Sequence, residues 1–520
     1  MRFIPLCLLF CVGLFLNACQ TPISSADDSL NYIPAEANMV VALHLPTLME
    51  KSDFSSVQEM GLFQHIIADM GEENPAMAAI FADPAKAGID TDQHMYITYS
   101  LQPDLNEEER MSISMTVKDK SALEAHLKTR DVQYQNATNF EHTDQIGPFM
   151  VGWNEEAVVF AGGGNTPDPQ TYLASLFSLD TDQSIASNRN LRKCMSADFD
   201  IAVWMNGALF LERNPMLESM ASLLEYDAET LAQNYLHNFV FFEEDKVETK
   251  TNYYIQPAIA NDLDLLIRKA HQSDVVSQIP TEELDGIVTA ALEPRGINQL
   301  IIEKHTKGFA RSALGQLGLS MEDLLSTSNG DVVLAAYSRK DSTQQRSRLS
   351  LLFGTKIENN QALDSLLAKA TQAKLVQAVD EQTYELLSYE EYVQTDTGSV
   401  AVNNMLQGYI YQQEGYLFVV SNEFLLAQLQ SGKVGQSAMI AAAQKAAKQE
   451  IFSFHGNILE FIPDQETSDA FPVKKTTILT NQKDTRGVFE IDTEGKNALE
   501  YLWQRANEEF EGTSSKETKI

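Results

Sequence analysis

Apolar and polar positions along this chain keep changing period, and each change marks an element. Met39-Val40-Val41-Ala42-Leu43-His44-Leu45 is a nearly continuous apolar run of strand length. Met111-Ser112-Ile113-Ser114-Met115-Thr116-Val117 alternates strictly, the period-2 signature of a strand with one buried face. Leu123 and Leu127 stand four apart, as do Leu363 and Leu367, so each pair shares one helix face. The apolar runs at 149–153 and 157–160 flank Asn154-Glu155-Glu156, and those at 408–411 and 416–419 flank Gln413-Glu414-Gly415, which predicts two hairpins.

The order of elements repeats. The strand around Val40 has a counterpart around Ile287, the helix with Leu123 one with Leu363, and the strand around Ile201 one around Ile451, at offsets of 247, 240 and 250 positions. The repeat predicts two tandem related modules, 31–273 and 274–511. Strands joined by tight turns with helices between them predict an α+β fold with mainly antiparallel sheets. Because the strands alternate, helices are expected on one face of each sheet. The other face is expected to be open to solvent, to the other module or to a partner.

The first residues read as a leader. Arg2 is followed by an apolar run, 3–15, too short to span a bilayer, and small residues then precede Cys19, predicting a signal peptide over 1–18. Leu16-Asn17-Ala18-Cys19 resembles the bacterial lipobox. That resemblance implies cleavage before Cys19, lipidation of Cys19 and a partner that is the membrane itself. Gln20 after the cysteine favours the outer membrane and leaves the cell surface and the periplasmic face both open. Residues 19–30 read as the lipidated cysteine and a flexible tether, and 512–520 as a disordered tail. Tyr32-Ile33-Pro34-Ala35-Glu36-Ala37-Asn38-Met39-Val40-Val41-Ala42 and Leu48-Met49-Glu50-Lys51-Ser52 resemble an uncharacterised family of large Bacteroidota lipoproteins. The resemblance implies an outer-membrane lipoprotein and supplies no activity and no catalytic residues.

Charge narrows the partners. Of 520 residues, 73 are acidic and 38 basic, a net charge of −35, which excludes nucleic acid and favours cationic partners or simple solubility. Cys7, Cys11 and Cys19 belong to the leader and its cleavage site. Cys194 is left alone, so no intramolecular disulfide is expected. Arg192 and Lys193 beside it raise the idea of an activated thiol, although its place ahead of a strand reads as core.

Catalytic motifs do not emerge. The chain has no His-Glu-x-x-His and no Gly-x-Ser-x-Gly. Gly162-Gly163-Gly164-Asn165 lacks the lysine of a phosphate loop, and Asp90-Thr91-Asp92 with His94 lacks the further oxygens of a calcium loop. No catalytic residue, metal or cofactor is therefore expected. Trp153, Tyr409 and Tyr411 are the candidate ligand-binding residues, since tyrosine and tryptophan are enriched at interfaces. Asp28-Ser29-Leu30 and Asp341-Ser342-Thr343 resemble O-glycosylation sites of exported Bacteroidota proteins. Together these observations point to a non-enzymatic, lipid-anchored envelope protein that binds a protein partner. The alternative is a binding protein for a glycan or small ligand, held in a cleft between the modules.

Overall fold

Val40 and Ala42 place their side chains on one side of their strand and Leu43 on the other, and all three are buried, so this strand has no solvent face. It is an interior strand of a large antiparallel sheet. The computed structural model describes residues 28–102, 108–143, 149–162, 168–207, 226, 230–231, 233–303, 321–340, 347–387, 389–395, 398–404, 408–432, 437–457 and 473–517. They fall into two compact units. The first takes residues up to 207, those from 230 to Tyr254 and those from Glu490 onward; the second takes Ile255–Phe489 and Tyr226.

The first unit holds β1 (Met39–His44), β2 (His94–Gln102), β3 (Glu108–Thr116), β4 (Tyr134–Asn136), β5 (Glu141–Thr143), β6 (Phe149–Trp153), β7 (Ala157–Gly162), β8 (Ile201–Asn206), β9 (Tyr235–Glu243) and β10 (Lys246–Tyr254). Their order across the sheet is β4-β5-β6-β7-β3-β2-β1-β8-β9-β10, every neighbouring pair antiparallel. The helices Pro169–Leu176 and Arg189–Met195 cover one face: Tyr172, Leu173 and Leu176 pack with Ala157, Val159 and Ala161, and Leu191 and Cys194 pack with Val40, Ala42 and Trp204. On the other face Phe81, from the helix Pro75–Ala82, lies 5.7 Å from Phe160.

This corrects the expectation of helices on one face only. The serines of the alternating strand are not solvated: Ser112 and Ser114 are as deeply buried as Met115. Thr98 and Ser112, opposite each other on β2 and β3, satisfy their hydroxyls together. A small hydroxyl that finds a partner can be buried at little cost.

The second unit holds β11 (Leu284–Ala291), β12 (Ser328–Lys340), β13 (Ser347–Ile357), β14 (Val376–Ala378), β15 (Thr383–Leu386), β16 (Tyr389–Thr395), β17 (Gly398–Asn404), β18 (Tyr409–Gln413), β19 (Tyr416–Val420), β20 (Phe452–Gly456), β21 (Val473–Thr480) and β22 (Asp484–Ile491), whose last two residues belong to the first unit. The order is β14-β15-β18-β19-β13-β12-β11-β20-β21, again antiparallel throughout, with β16 and β17 a separate hairpin. The helices Glu423–Gln430 and Ala438–Ala447 cover one face, burying Ile287, Val333, Ala335, Tyr337, Leu352 and Phe418.

Local signals explain the helices. Asp119 and Asn359 each accept the backbone N–H three residues on, at 3.0 and 3.1 Å, and so cap the helices Lys120–Thr129 and Asn360–Gln372. The leucine pairs 123/127 and 363/367 point inward as their spacing requires. Chain ends behave differently from the sequence reading. Ser29 and Leu30, expected in the tether, are buried in a 3₁₀ turn, Asp28–Tyr32. The C-terminal helix runs Ala498–Glu517, into the stretch expected to be a tail. It packs within the first unit, with Trp503 6.3 Å from Phe63 and Asn507 accepting the Leu62 N–H at 2.9 Å.

Candidate interaction surface

The hairpin β12–β13 is longer than the strands that flank it. β11 pairs with β12 as far as Tyr337, and β19 pairs with β13 from Leu352 onward. Beyond those points the rungs Ser338↔Leu349, Arg339↔Arg348 and Lys340↔Ser347 join only the two hairpin strands. Leu351, at the margin, exchanges hydrogen bonds with Ser421: its N–H donates to Oγ at 2.9 Å and its carbonyl accepts the Ser421 N–H at 3.0 Å.

Alternation sorts the side chains. Val333, Ala335, Tyr337 and Leu352 face the core. Leu334, Leu349 and Leu351 face the other way and remain 37%, 47% and 39% exposed. Residues directly opposite in an antiparallel pair share a face. Leu334 lies opposite Val288 and Phe353, Phe353 opposite Val419, and Val419 opposite Ile410, so one apolar row crosses five strands. Val288, Phe353, Val419 and Ile410 are half-buried. Covering each exposed leucine would contribute about 1–2 kcal/mol.

The residues singled out from sequence do not converge. Trp153 is fully buried in the first unit, edge-on to Tyr134 at 5.1 Å. Tyr411 lies in the core of the second unit, and Tyr409 is half-buried with its hydroxyl donating to Glu423 at 3.1 Å. Trp204 is buried and donates its indole N–H to Asn190 at 3.0 Å. Cys194 is buried and burial pushes its thiol far up, which removes the activated-thiol idea. Asp90 and Asp92 face Lys118 at 3.4 and 3.1 Å, while His94 turns inward against Phe199 at 5.4 Å. Ser29 has no exposed surface, so the folded unit has no room for a sugar there. Cys19, residues 163–165 and residues 341–343 lie outside the described residues.

A polar cluster that sequence reasoning missed ties the helix Leu45–Lys51 to β8 and β9. Lys51 reaches both carboxylate oxygens of Asp200 at 3.4 Å and the Phe242 carbonyl at the same distance. Asp200 also accepts the Phe242 N–H at 3.1 Å. His44 Nδ1 meets Thr47 Oγ1 at 3.0 Å, and the rings of His44 and His94 are 5.1 Å apart. Burial raises the Asp200 carboxyl to about 6 against the pull of Lys51. Burial, with His94 and Lys51 adding to it, lowers His44 to about 4. Burial thus works against the charged form of each group, and Lys51 offsets it at Asp200. Only Lys51 could have been flagged in advance, since it lies in the stretch that carries the family resemblance; nothing in the linear sequence pairs it with Asp200, 149 positions away.

Among the described residues no three His, Cys, Asp or Glu side chains come together as a metal site. No helix among them is long and apolar enough to cross a membrane. The family profile described as "Domain of unknown function (DUF4836)" matches residues 30–483. Curated proteins give no match. Among solved structures, "Structure of crystal form I of TP0453" is 10% identical, covers 45% of this chain and 81% of that chain, and has a TM-score of 0.27. "Structure of crystal form III of TP0453" is 10% identical, covers 48% and 89%, and also scores 0.27. Likeness at that level carries no argument for fold or function.

Proposed function

The chain belongs to the DUF4836 family, and we propose that it is a non-enzymatic, lipid-anchored outer-membrane protein that binds another protein through the β12–β13 ladder of its second unit. The observation that carries the reading is the exposure of Leu334, Leu349 and Leu351 on one face of that ladder. Apolar side chains grouped on a sheet face, with the core packed behind them, are the composition of a protein-binding patch. The anchor rests on the leader and Cys19.

A photo-reactive phenylalanine analogue in place of Leu349, in the full chain in native envelopes, is expected to form an adduct of defined mass with a protein. The adduct is expected to disappear on Leu351→Ser, a surface change that should cost under about 1 kcal/mol of stability. Absence of any protein adduct overturns the binding reading. Cys19→Ala is expected to release the protein from the membrane pellet; retention overturns the anchor.

The two units also support the proposal of an internal duplication. Position for position, β4-β5-β6-β7-β3-β2-β1-β8-β9 has the order of β14-β15-β18-β19-β13-β12-β11-β20-β21. Val40 lies opposite Thr98 and Trp204, and Ile287 opposite Ala335 and His455, the last one position from where the 250 offset puts it.

A further inference from the structure

We infer that Lys51 and Asp200 condense within the folded first unit into an amide cross-link, Nζ to Cγ, with loss of one water. The inference stands apart from the binding reading. Lys51 ends the helix Leu45–Lys51 and keeps 13% of its side chain exposed, and the Asp200 side chain has no exposed surface. Nζ lies 3.4 Å from each carboxylate oxygen. Charge-assisted hydrogen bonds between such groups are shorter, about 2.7–2.9 Å. A nitrogen equidistant from both oxygens, and bonded closely to neither, faces the carboxyl carbon between them.

The surroundings fit the amide better than the ion pair. Phe242, on β9, presents its carbonyl to Nζ at 3.4 Å and its N–H to Asp200 Oδ2 at 3.1 Å. A secondary amide carries one N–H donor and one carbonyl acceptor, and Phe242 offers the complement of both. An ammonium and a carboxylate need more partners, and two buried charges are costly unless those needs are met. Burial holds the Asp200 carboxyl up at about 6 although Lys51 lies beside it, so part of it carries a proton near neutral pH. Holding two reacting groups in contact gives effective molarities of about 10⁵–10⁸ M when they are well oriented.

The ammonium passes one proton to Oδ1, and the freed Nζ lone pair bonds to Cγ. The Cγ–Oδ1 bond then breaks, and a second Nζ proton leaves with Oδ1 as water, while Oδ2 stays as the amide carbonyl. The Thr47 hydroxyl lies against both Asp200 and His44 Nδ1, the latter at 3.0 Å. Burial keeps His44 neutral down to about pH 4, so it can take that second proton through Thr47 and return it to the departing oxygen. The cross-link spans 149 positions and needs no oxidant, in a chain whose sole cysteine beyond residue 19 is Cys194. Once condensed, Asp200 no longer titrates.

The test is peptide mapping of the full chain purified from native envelopes. Cleavage after aromatic residues separates 33–54, which carries Lys51, from the peptide that ends at Trp204 and carries Asp200. The expected product joins the two at Lys51 and Asp200 and weighs one water less than their sum. Lys51→Arg keeps the cation but does not condense. It is expected to give only the two linear peptides, and a denatured chain of altered gel mobility because the loop is open. Recovery of both linear peptides alone from the parent chain overturns the inference, and so does a joined product that persists in Lys51→Arg. Thr47→Val is expected to leave a larger unjoined share; a share equal to the parent's overturns the route through His44.

Discussion

Arg268 donates from Nη2 to Oδ1 of Asp331, a carboxylate with no exposed surface at all. The other carboxylate oxygen accepts the backbone N–H groups of Gln272 and Ser273 at 3.0 and 2.6 Å and the Asn329 side-chain amide at 2.9 Å. One side chain at the start of β12 therefore fastens the segment 268–273 of the same unit. Asp331→Ala would strand a nearly buried guanidinium and two N–H groups. It is expected to cost about 3–5 kcal/mol, the range for breaking a buried pair from one side. Asp331→Asn, which keeps an acceptor, is expected to cost less. Urea unfolding followed by circular dichroism measures both, and an Asp331→Ala midpoint equal to the parent would show that the pair holds nothing.

Acid should weaken the fold well before its exposed carboxylates titrate. Burial lowers His44, His237 and His455 to about 4 from 6.5, with Lys193 adding to the effect at His237 and Lys475 at His455. A base whose folded pKa is depressed lends stability that is full above pH 6.5 and lost as the pH falls towards 4. Asp200 works the other way: raised to about 6 from 3.8, it keeps its proton in the fold, and its contribution is lost as the pH rises through 6. Burial lowers His271 as well, so between pH 4 and 6 unfolding takes up protons net and stability falls on acidification. Urea midpoints from pH 7 to 4.5 test this, and His237→Gln is expected to make the fall with acid shallower. A midpoint that rises on acidification would sink the account.

Trp153 is a core residue by its contacts. Its ring is fully buried beside Val151 and Phe160, also fully buried, and Tyr134 closes over it edge-on. Trp153→Ala is expected to cost about 3–5 kcal/mol through the cavity it leaves. At a temperature where the variant is still folded, the Leu349 adduct yield is expected to be unchanged. A drop in that yield without a drop in the unfolding midpoint would return Trp153 to the binding surface.

Much of the architecture was legible because the periods were clean. The alternation at 111–117 gave a strand that starts three residues inside β3 and ends one beyond it, and the hairpins around Asn154 and Glu414 formed where their turns placed them. Other elements were not visible. β9, Tyr-Leu-His-Asn-Phe-Val-Phe-Phe-Glu, mixes aromatic and polar positions without a period, because its half-buried side chains sit on both faces. The helix Pro257–Leu266 is opened by a proline at its first turn. The leucines of the candidate surface could not be told from core leucines, since an exposed leucine and a buried one read the same.

The sequence by itself determined the α+β class and the acidic character, because each is written in neighbouring residues. Tertiary structure alone decided which alternating face is buried, which buried groups pair, and where the C-terminal helix packs. Those outcomes depend on partners more than a hundred positions away: Lys51 with Asp200, or Leu62 with Asn507. Burial is a property of what lies opposite a side chain, and the chain's own order does not contain it. Ser112 inside and Leu349 outside are the plainest cases, each placed against its hydropathy by the strands and helices around it.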